Sequence, residues 1–153
     1  MITVYTDGSV LCRGKNSPGG YAFLYYLGQE VVKGSGGLRS ATNNTAEMIA
    51  VIAAFESLLD EKTGPRPKVM VVSDSRYVVD GMTLWLDRWK ATGWRTAENR
   101  PVMNRELWEE MSYLAKSFKC RFQWVRGHDG HVENEIVDGM AKAAAFSSLS
   151  VAA

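Results

Sequence analysis

Extended and helical patterns of apolar residues alternate along the chain. Residues 2–8, ITVYTDG, read as a short strand, because Val4, Tyr5 and Thr6 favour extended backbone and Gly8 ends the run. After a loop containing Gly14, Pro18, Gly19 and Gly20, residues 21–27 (YAFLYYL) and 30–36 (EVVKGSG) predict two strands joined at Gly28-Gln29, an antiparallel hairpin. The period becomes helical at Thr42 and runs through NNTAEMIAVIAAFESLLDEK until Gly64-Pro65 stops it. Residues 68–74, KVMVVSD, form the nearly continuous apolar run expected of a strand covered on both faces. Helical patterns follow from Tyr77 to about Lys90 and from about Asn104 to Phe118. CRFQWV, residues 120–125, alternates as a last strand, and a helix from Asn134 to about Phe146 closes the pattern.

The order is three strands, helix, strand, helices, strand, helix. Early antiparallel pairing followed by β-α-β crossovers predicts an α/β fold with one mixed sheet and helices packed on its faces. A chain of 153 residues suits one domain, with 46% apolar and 23% charged residues, which excludes a disordered or fibrous protein. A net charge of +1 gives no global field, so any contact with nucleic acid must rest on local charge. Cys12 and Cys120 offer no disulfide framework and are expected to be free thiols. The first residues lack the pattern of a signal peptide and no apolar run approaches about 18 residues. A cytoplasmic monomer is the expectation.

Four carboxylates fall at the ends of predicted elements. Asp7 and Asp74 each close a strand, where ligand-binding groups of crossover sheets gather; each can also serve a turn or a helix cap. Glu47 stands at capping-box spacing from Asn44, with Asn44 at the cap. At roughly 100° per residue, however, Glu47 shares a side with Val51, Ala54 and Leu58, so it starts a buried stripe. Asp138 likewise shares a side with Val137, Ala141 and Ala145. Carboxylates on core-facing stripes are costly to keep ionised without a cationic partner. No Lys or Arg is an evident interior partner for all four, so a divalent metal is the economical answer, and oxygen-only ligands favour Mg²⁺ or Mn²⁺. Two such ions can clamp the attacking and leaving oxygens of a phosphodiester. The two histidines, His128 and His131, stand three apart, but the cysteines lack the close spacing of a structural zinc site. His131 is expected to be a loop or helix-entry residue.

Taken together, TDGS with Asp7, TNNTAE with Glu47, SDSRYVVDG with Asp74 and RGHDGHVENEIVD with His128 and Asp138 resemble the signature blocks of the bacterial-type ribonuclease H family, type I. The likeness extends through GGYAFL and WLDRWKATGWRT, covering nearly the whole chain in the family's order. It implies the ribonuclease H-like fold, a five-stranded mixed sheet with three antiparallel strands and then parallel crossovers. It also implies a single catalytic domain, residues 1–153, that acts as an endonuclease on the RNA strand of RNA/DNA hybrids and leaves 5′-phosphate and 3′-hydroxyl ends. By the same resemblance, Asp7, Glu47, Asp74 and Asp138 would ligate two Mg²⁺ ions, with Mn²⁺ a possible substitute and Asp7 bridging. His128, in a loop flanked by Gly127 and Gly130, looks like the family histidine that assists proton transfer and product departure.

Between Trp85 and Arg105, five basic residues (Arg88, Lys90, Arg95, Arg100, Arg105) face two acidic ones (Asp87, Glu98) and are interleaved with Trp85, Trp89 and Trp94. This strip resembles the basic protrusion by which the family grips the DNA strand, and Trp85, Lys90, Trp94 and Arg95 are its candidate contacts. Trp85 and Trp89, four apart on a helix, favour packing against the sheet, whereas Trp94 beside Gly93 is expected to be exposed. Thr42, Asn43 and Asn44 stand where the family contacts backbone near the site, and the same residues suit capping. Two departures affect further candidates. The glycine loop is longer than the common form, which leaves a backbone contact from Asn16 open, and Arg76 stands where glutamine is frequent. Rival readings are a hybrid-binding domain that has lost catalysis, or another nuclease or strand-transfer enzyme on the same fold.

Overall fold

The computed structural model describes residues 1–152, with side chains through residue 149. Five strands form one sheet in the order β3-β2-β1-β4-β5. Strands β1 (Ile2–Val10), β2 (Ser17–Leu27) and β3 (Glu30–Ala41) form an antiparallel meander. β4 (Lys68–Ser73) pairs parallel with β1, and β5 (Lys119–Trp124) pairs parallel with β4. Helix α1 (Asn43–Asp60) connects β3 to β4; α2 (Arg76–Asp80), a π-helical turn (Gly81–Trp85), α3 (Leu86–Ala91) and α4 (Arg105–Ala115) lie between β4 and β5; α5 (Val132–Ala152) ends the described chain. This is the five-stranded mixed sheet expected from the sequence.

Alternation along the strands divides the interior. Val4, Phe23, Tyr25, Val69 and Val71 face α1 and the central helices, where they meet Met48, Val51, Phe55, Leu58 and Trp108. Phe55 stacks on Phe118 with centroids 5.3 Å apart, and Trp108 is fully buried between Tyr77 and Trp89. Each such side chain contributes about 1.5–3 kcal/mol by leaving water. Tyr5, Ala22 and Leu24 form the other face, against Val137, Met140 and Ala141 of α5.

Strands β1, β2 and β3 are longer than the alternation predicts, because they continue through glycines that local propensity would place in loops, Gly8 of β1 among them. A Cβ on Gly20 would lie 2.5 Å from the Ala141 carbonyl oxygen and the Ala145 nitrogen, so the bare strand lets α5 rest directly on the sheet. The helix expected from Tyr77 to about Lys90 is divided instead by the π-turn. Gly81, where that turn begins, lies under the Trp108 ring with no room for a Cβ. α5 also begins earlier than expected, at Val132, with the His131 carbonyl accepting from Glu135 N at 3.0 Å; His131 is thus a helix-entry residue.

Gly20→Val is expected to lower stability by about 2 kcal/mol or more, because backbone blocks the added carbons. Gly139→Ala, on the same α5 but with nothing within 4 Å of a new Cβ, should be neutral or raise stability by up to about 1 kcal/mol. Thermal or urea unfolding of both variants measures the difference, and equal destabilisation would contradict the close helix-sheet contact.

Candidate active site

The parallel register sets two carboxylates level. Tyr5 of β1 pairs with Val72 of β4, so two residues further on Asp7 and Asp74 lie side by side past the last paired position. Neighbouring strands are about 4.8 Å apart, which forces the two side chains close together. Asp7 is buried, and its Oδ1 accepts from Gly8 N at 2.9 Å.

Glu47 arrives from the first turns of α1. The helix is capped by Thr42, not Asn44: Thr42 Oγ1 accepts from Thr45 N at 3.2 Å, and Thr45 Oγ1 accepts from Thr42 N at 2.9 Å. A reciprocal threonine pair therefore replaces the expected box and frees Glu47 to turn inward. Gly8 admits the helix here, since a Cβ on it would lie 2.5 Å from the Ala46 carbonyl carbon and Glu47 nitrogen. Asp7, Glu47 and Asp74 each bring a ligand oxygen to within 4.8 Å of the others. Asp138 lies on the rim of the same cavity, paired with Lys142 at 3.0 Å, and its oxygen falls within 4.8 Å of His128 and Glu135.

This geometry raises proton affinity. Burial, followed by the charges of Asp74 and Asp138, pushes the Asp7 carboxyl up to about 7 against an opposing hydrogen bond from Glu47. Burial and then Asp7 hold Glu47 well above the usual carboxylate range, and Asp74 is raised by burial and by Asp138. Glu47 Oε2 has no hydrogen-bond partner among the described residues. A buried oxygen without a donor, in a set of carboxylates that repel one another, fits a hard divalent cation far better than it fits an empty hydrogen-bond network.

The cavity, about 460 Å³, is also lined by Asn43, Asn44, Arg13, Arg76, Lys142 and His128. Asn43 and Asn44 are exposed on the first turn of α1, while Thr42 is taken up by capping. His128 is exposed, has φ +56 and stands 4.0 Å from Glu135 Oε1 through Nδ1. Asn16 is exposed in its loop and does not line the cavity. The basic strip forms a separate surface. Lys90 donates to Ser112 Oγ, Arg95 Nη1 donates to the Asn99 carbonyl at 3.4 Å, and Trp85 is 37% exposed.

Trp94 overturns an expectation. It is buried, because a left-handed turn at Gly93-Trp94 folds the indole back onto Trp89 while Trp94 N donates to the Trp89 carbonyl at 2.7 Å. Arg105 covers its outer face, with Cζ 5.4 Å from the ring centre. Of the tryptophans between 85 and 94, Trp89 is packed as expected, whereas Trp85, also expected to pack, ends the π-turn and is exposed. Sequence reasoning passed over Arg13, Trp124, Glu135 and Lys142. The spacing of Asp138 and Lys142, one helical turn apart, was the available signal for one of them.

A family profile described as RNase H matches residues 1–146. A Ribonuclease H of Bradyrhizobium diazoefficiens is 41% identical over 142 residues, covering 93% of this chain and 88% of that protein. A Ribonuclease H of Pectobacterium carotovorum is 42% identical over 145 residues, covering 95% and 90%. The chain belongs to the RNase H family. Among solved structures, LC9-RNase H1, described as a type 1 RNase H with the type 2 active-site motif, superposes with a TM-score of 0.84 at 32% identity, covering 96% of this chain and 72% of that one. The RNase H family uses a divalent metal, in keeping with the donor set at Asp7, Glu47 and Asp74. No described helix is long and apolar enough to cross a membrane.

The raised carboxylates fix a pH dependence for the metal-free protein. A group whose folded pKa exceeds its unfolded value contributes stability below the unfolded pKa that is lost as pH rises through the folded one. For Asp7 that window runs from its ordinary 3.8 to about 7, and Glu47 and Asp74 shift in the same direction. In EDTA the melting temperature should therefore fall between pH 5 and pH 8, and Mg²⁺ at pH 8 should restore it. Asp7→Asn should flatten the profile; parallel profiles for the variant and the parent would show that the cluster does not govern it.

Proposed function

We propose that the chain is an endonuclease that hydrolyses the RNA strand of RNA/DNA hybrids, acting as a monomer with residues 1–153 as one catalytic domain. The observation that carries this reading is the buried convergence of Asp7, Glu47 and Asp74, with Asp138 beside them, in an RNase H family chain. These four acids would hold two Mg²⁺ ions, with Mn²⁺ able to substitute. Metal held there would supply Lewis-acid activation of water and charge neutralisation at the departing 3′-oxygen, the chemistry that gives a 5′-phosphate and a 3′-hydroxyl.

The protein's own groups hold and orient. Asp7, fixed by the Gly8 N–H, would hold the metal together with Glu47 and Asp74, whose oxygens lie within 4.8 Å of its own. Asp138 completes the set from α5, and Lys142 holds its carboxylate in place. His128, exposed on a glycine-flanked loop near Asp138, carries protons between the site and solvent.

Exposed donors at the start of α1, Asn43 and Asn44, suit a backbone phosphate, and Arg76 adds a charge at the cavity rim. Trp85, Lys90 and Arg95 would meet the DNA strand along the basic strip, whereas buried Trp94 supports that surface from below. Reading backbone shape and 2′-hydroxyls instead of base edges makes the cut independent of sequence.

A panel of labelled hybrid, duplex RNA and duplex DNA, each with and without Mg²⁺, tests this. The expected outcome is Mg²⁺-dependent cutting of the hybrid's RNA strand alone. Binding without cutting would favour a catalytically impaired domain, and efficient cutting of duplex DNA would favour another nuclease. Asp7→Asn, which removes charge but little volume, should reduce turnover by at least about a hundredfold with the fold intact. His128→Ala should slow it by about a hundredfold without abolishing it, the low end of what a proton carrier contributes.

A further inference from the structure

Three cations line the acidic cavity, and they are held differently. Lys142 is paired with Asp138, and Arg13 has no salt bridge or hydrogen bond among the described residues. Arg76 instead lies over an aromatic face, its Cζ 4.0 Å from the centre of the Trp124 ring. The same indole turns its edge to the acids: Trp124 Nε1 donates to the Asp74 carbonyl oxygen at 3.0 Å. Asp74 needs such a donor because it lies one residue beyond β4, where the paired ladder with β5 has ended at Ser73 and Trp124. The rest of the β5 exit closes round it. Val125 N donates to the Ser73 carbonyl at 3.0 Å, and Gly127 is so near that a Cβ would lie 2.9 Å from Asp74 Oδ2.

We propose that Trp124 is a positioning residue with two tasks, its indole N–H fixing Asp74 for the metal and its ring face holding the Arg76 guanidinium ready for a phosphate of the hybrid. This rests on the proposed function for the identity of metal and substrate. A planar guanidinium pre-stacked on an indole loses less freedom on meeting a phosphate than a free side chain does. A hydrogen bond on the Asp74 carbonyl fixes the backbone from which the carboxylate projects. One side chain thereby links the metal site to a substrate contact.

Substitutions separate the two tasks without turnover. Trp124→Phe keeps a face and loses the donor, so the Mg²⁺ dissociation constant, read by calorimetry on the metal alone, should rise about fivefold, the weight of one ordinary hydrogen bond. Its affinity for an RNA/DNA hybrid in EDTA, read by fluorescence anisotropy, should stay within about twofold of the parent. Trp124→Leu loses both, and its hybrid dissociation constant should rise about three- to tenfold. In an Arg76→Ala background the Leu substitution should add nothing to that loss. Unchanged Mg²⁺ affinity in Trp124→Phe, or an equal loss of hybrid binding with and without Arg76, would overturn the proposal. Should Trp124→Leu fail to fold, Arg76→Lys carries the second arm, because it keeps the charge but not the planar stack; undiminished hybrid binding by it would also overturn the proposal. A chain that gave the expected affinities yet cut nothing would defeat the proposed reaction and leave this inference standing.

Discussion

Mutual repulsion among carboxylates held out of water is the constraint on which the molecule is organised. Asp7 and Asp74 are not brought together by attraction: the parallel register of β1 and β4 sets them level, and α1 adds Glu47 from above. Left ionised and alone, such a set opposes folding, and the proton affinities of all three are raised, first by burial and then by neighbouring charge. The fold withstands it because the elements carrying the acids are anchored elsewhere, α1 through Met48, Val51, Phe55 and Leu58, and the strands through Val4, Val69 and Val71. Stability is surrendered at one end of the sheet and supplied along its length.

Close approach at the same end depends on residues without side chains. Gly8 lets the start of α1 come against β1, and Gly127 lets the β5 exit lie against Asp74. Further back, Gly20 lets α5 lie on β2, which fixes the helix that carries Asp138 and Lys142. A carbon atom at Gly8 or Gly20 would meet backbone and move a whole element, so the seating of α1 and α5 on the strands is set by backbone contact. That is a stiffer constraint than side-chain packing, because neither partner can relieve it by changing rotamer.

The element order and the sheet were legible because they follow from period and from the handedness of crossovers, which act over short stretches of chain. Glu47 could be turned inward from its place on the wheel alone. What escaped was set by distant contacts. The cap was assigned to Asn44 by spacing, yet Thr42 and Thr45 satisfy one another reciprocally, a competition between equivalent polar residues that spacing cannot rank. Trp94 was expected outside because it follows a glycine, but that glycine supplies the turn that carries the ring inward. The glycine-rich ends of β2 and β3 and the π-turn over Trp108 likewise reflect packing partners remote in sequence. In the sequence Trp124 is one position of an alternating strand; its link to Asp74 and Arg76 exists only once β4 and β5 are side by side.

The cations at the rim complete the electrostatic argument. A polyanionic hybrid would be repelled by a bare cluster of buried carboxylates, so on the proposed reading metal and substrate cannot bind independently. Metal held by the acidic set would remove charge the phosphates otherwise meet, and a bound phosphate would in turn favour the holding of metal. Affinity changes of this kind are reciprocal by thermodynamic necessity. Arg76 and Lys142 moderate the repulsion before any ion arrives, one held on an indole face and the other against Asp138, so that neither collapses onto the central acids. Keeping those cations at the edge leaves the centre acidic, which on the proposed reading would couple the arrival of substrate to the holding of metal.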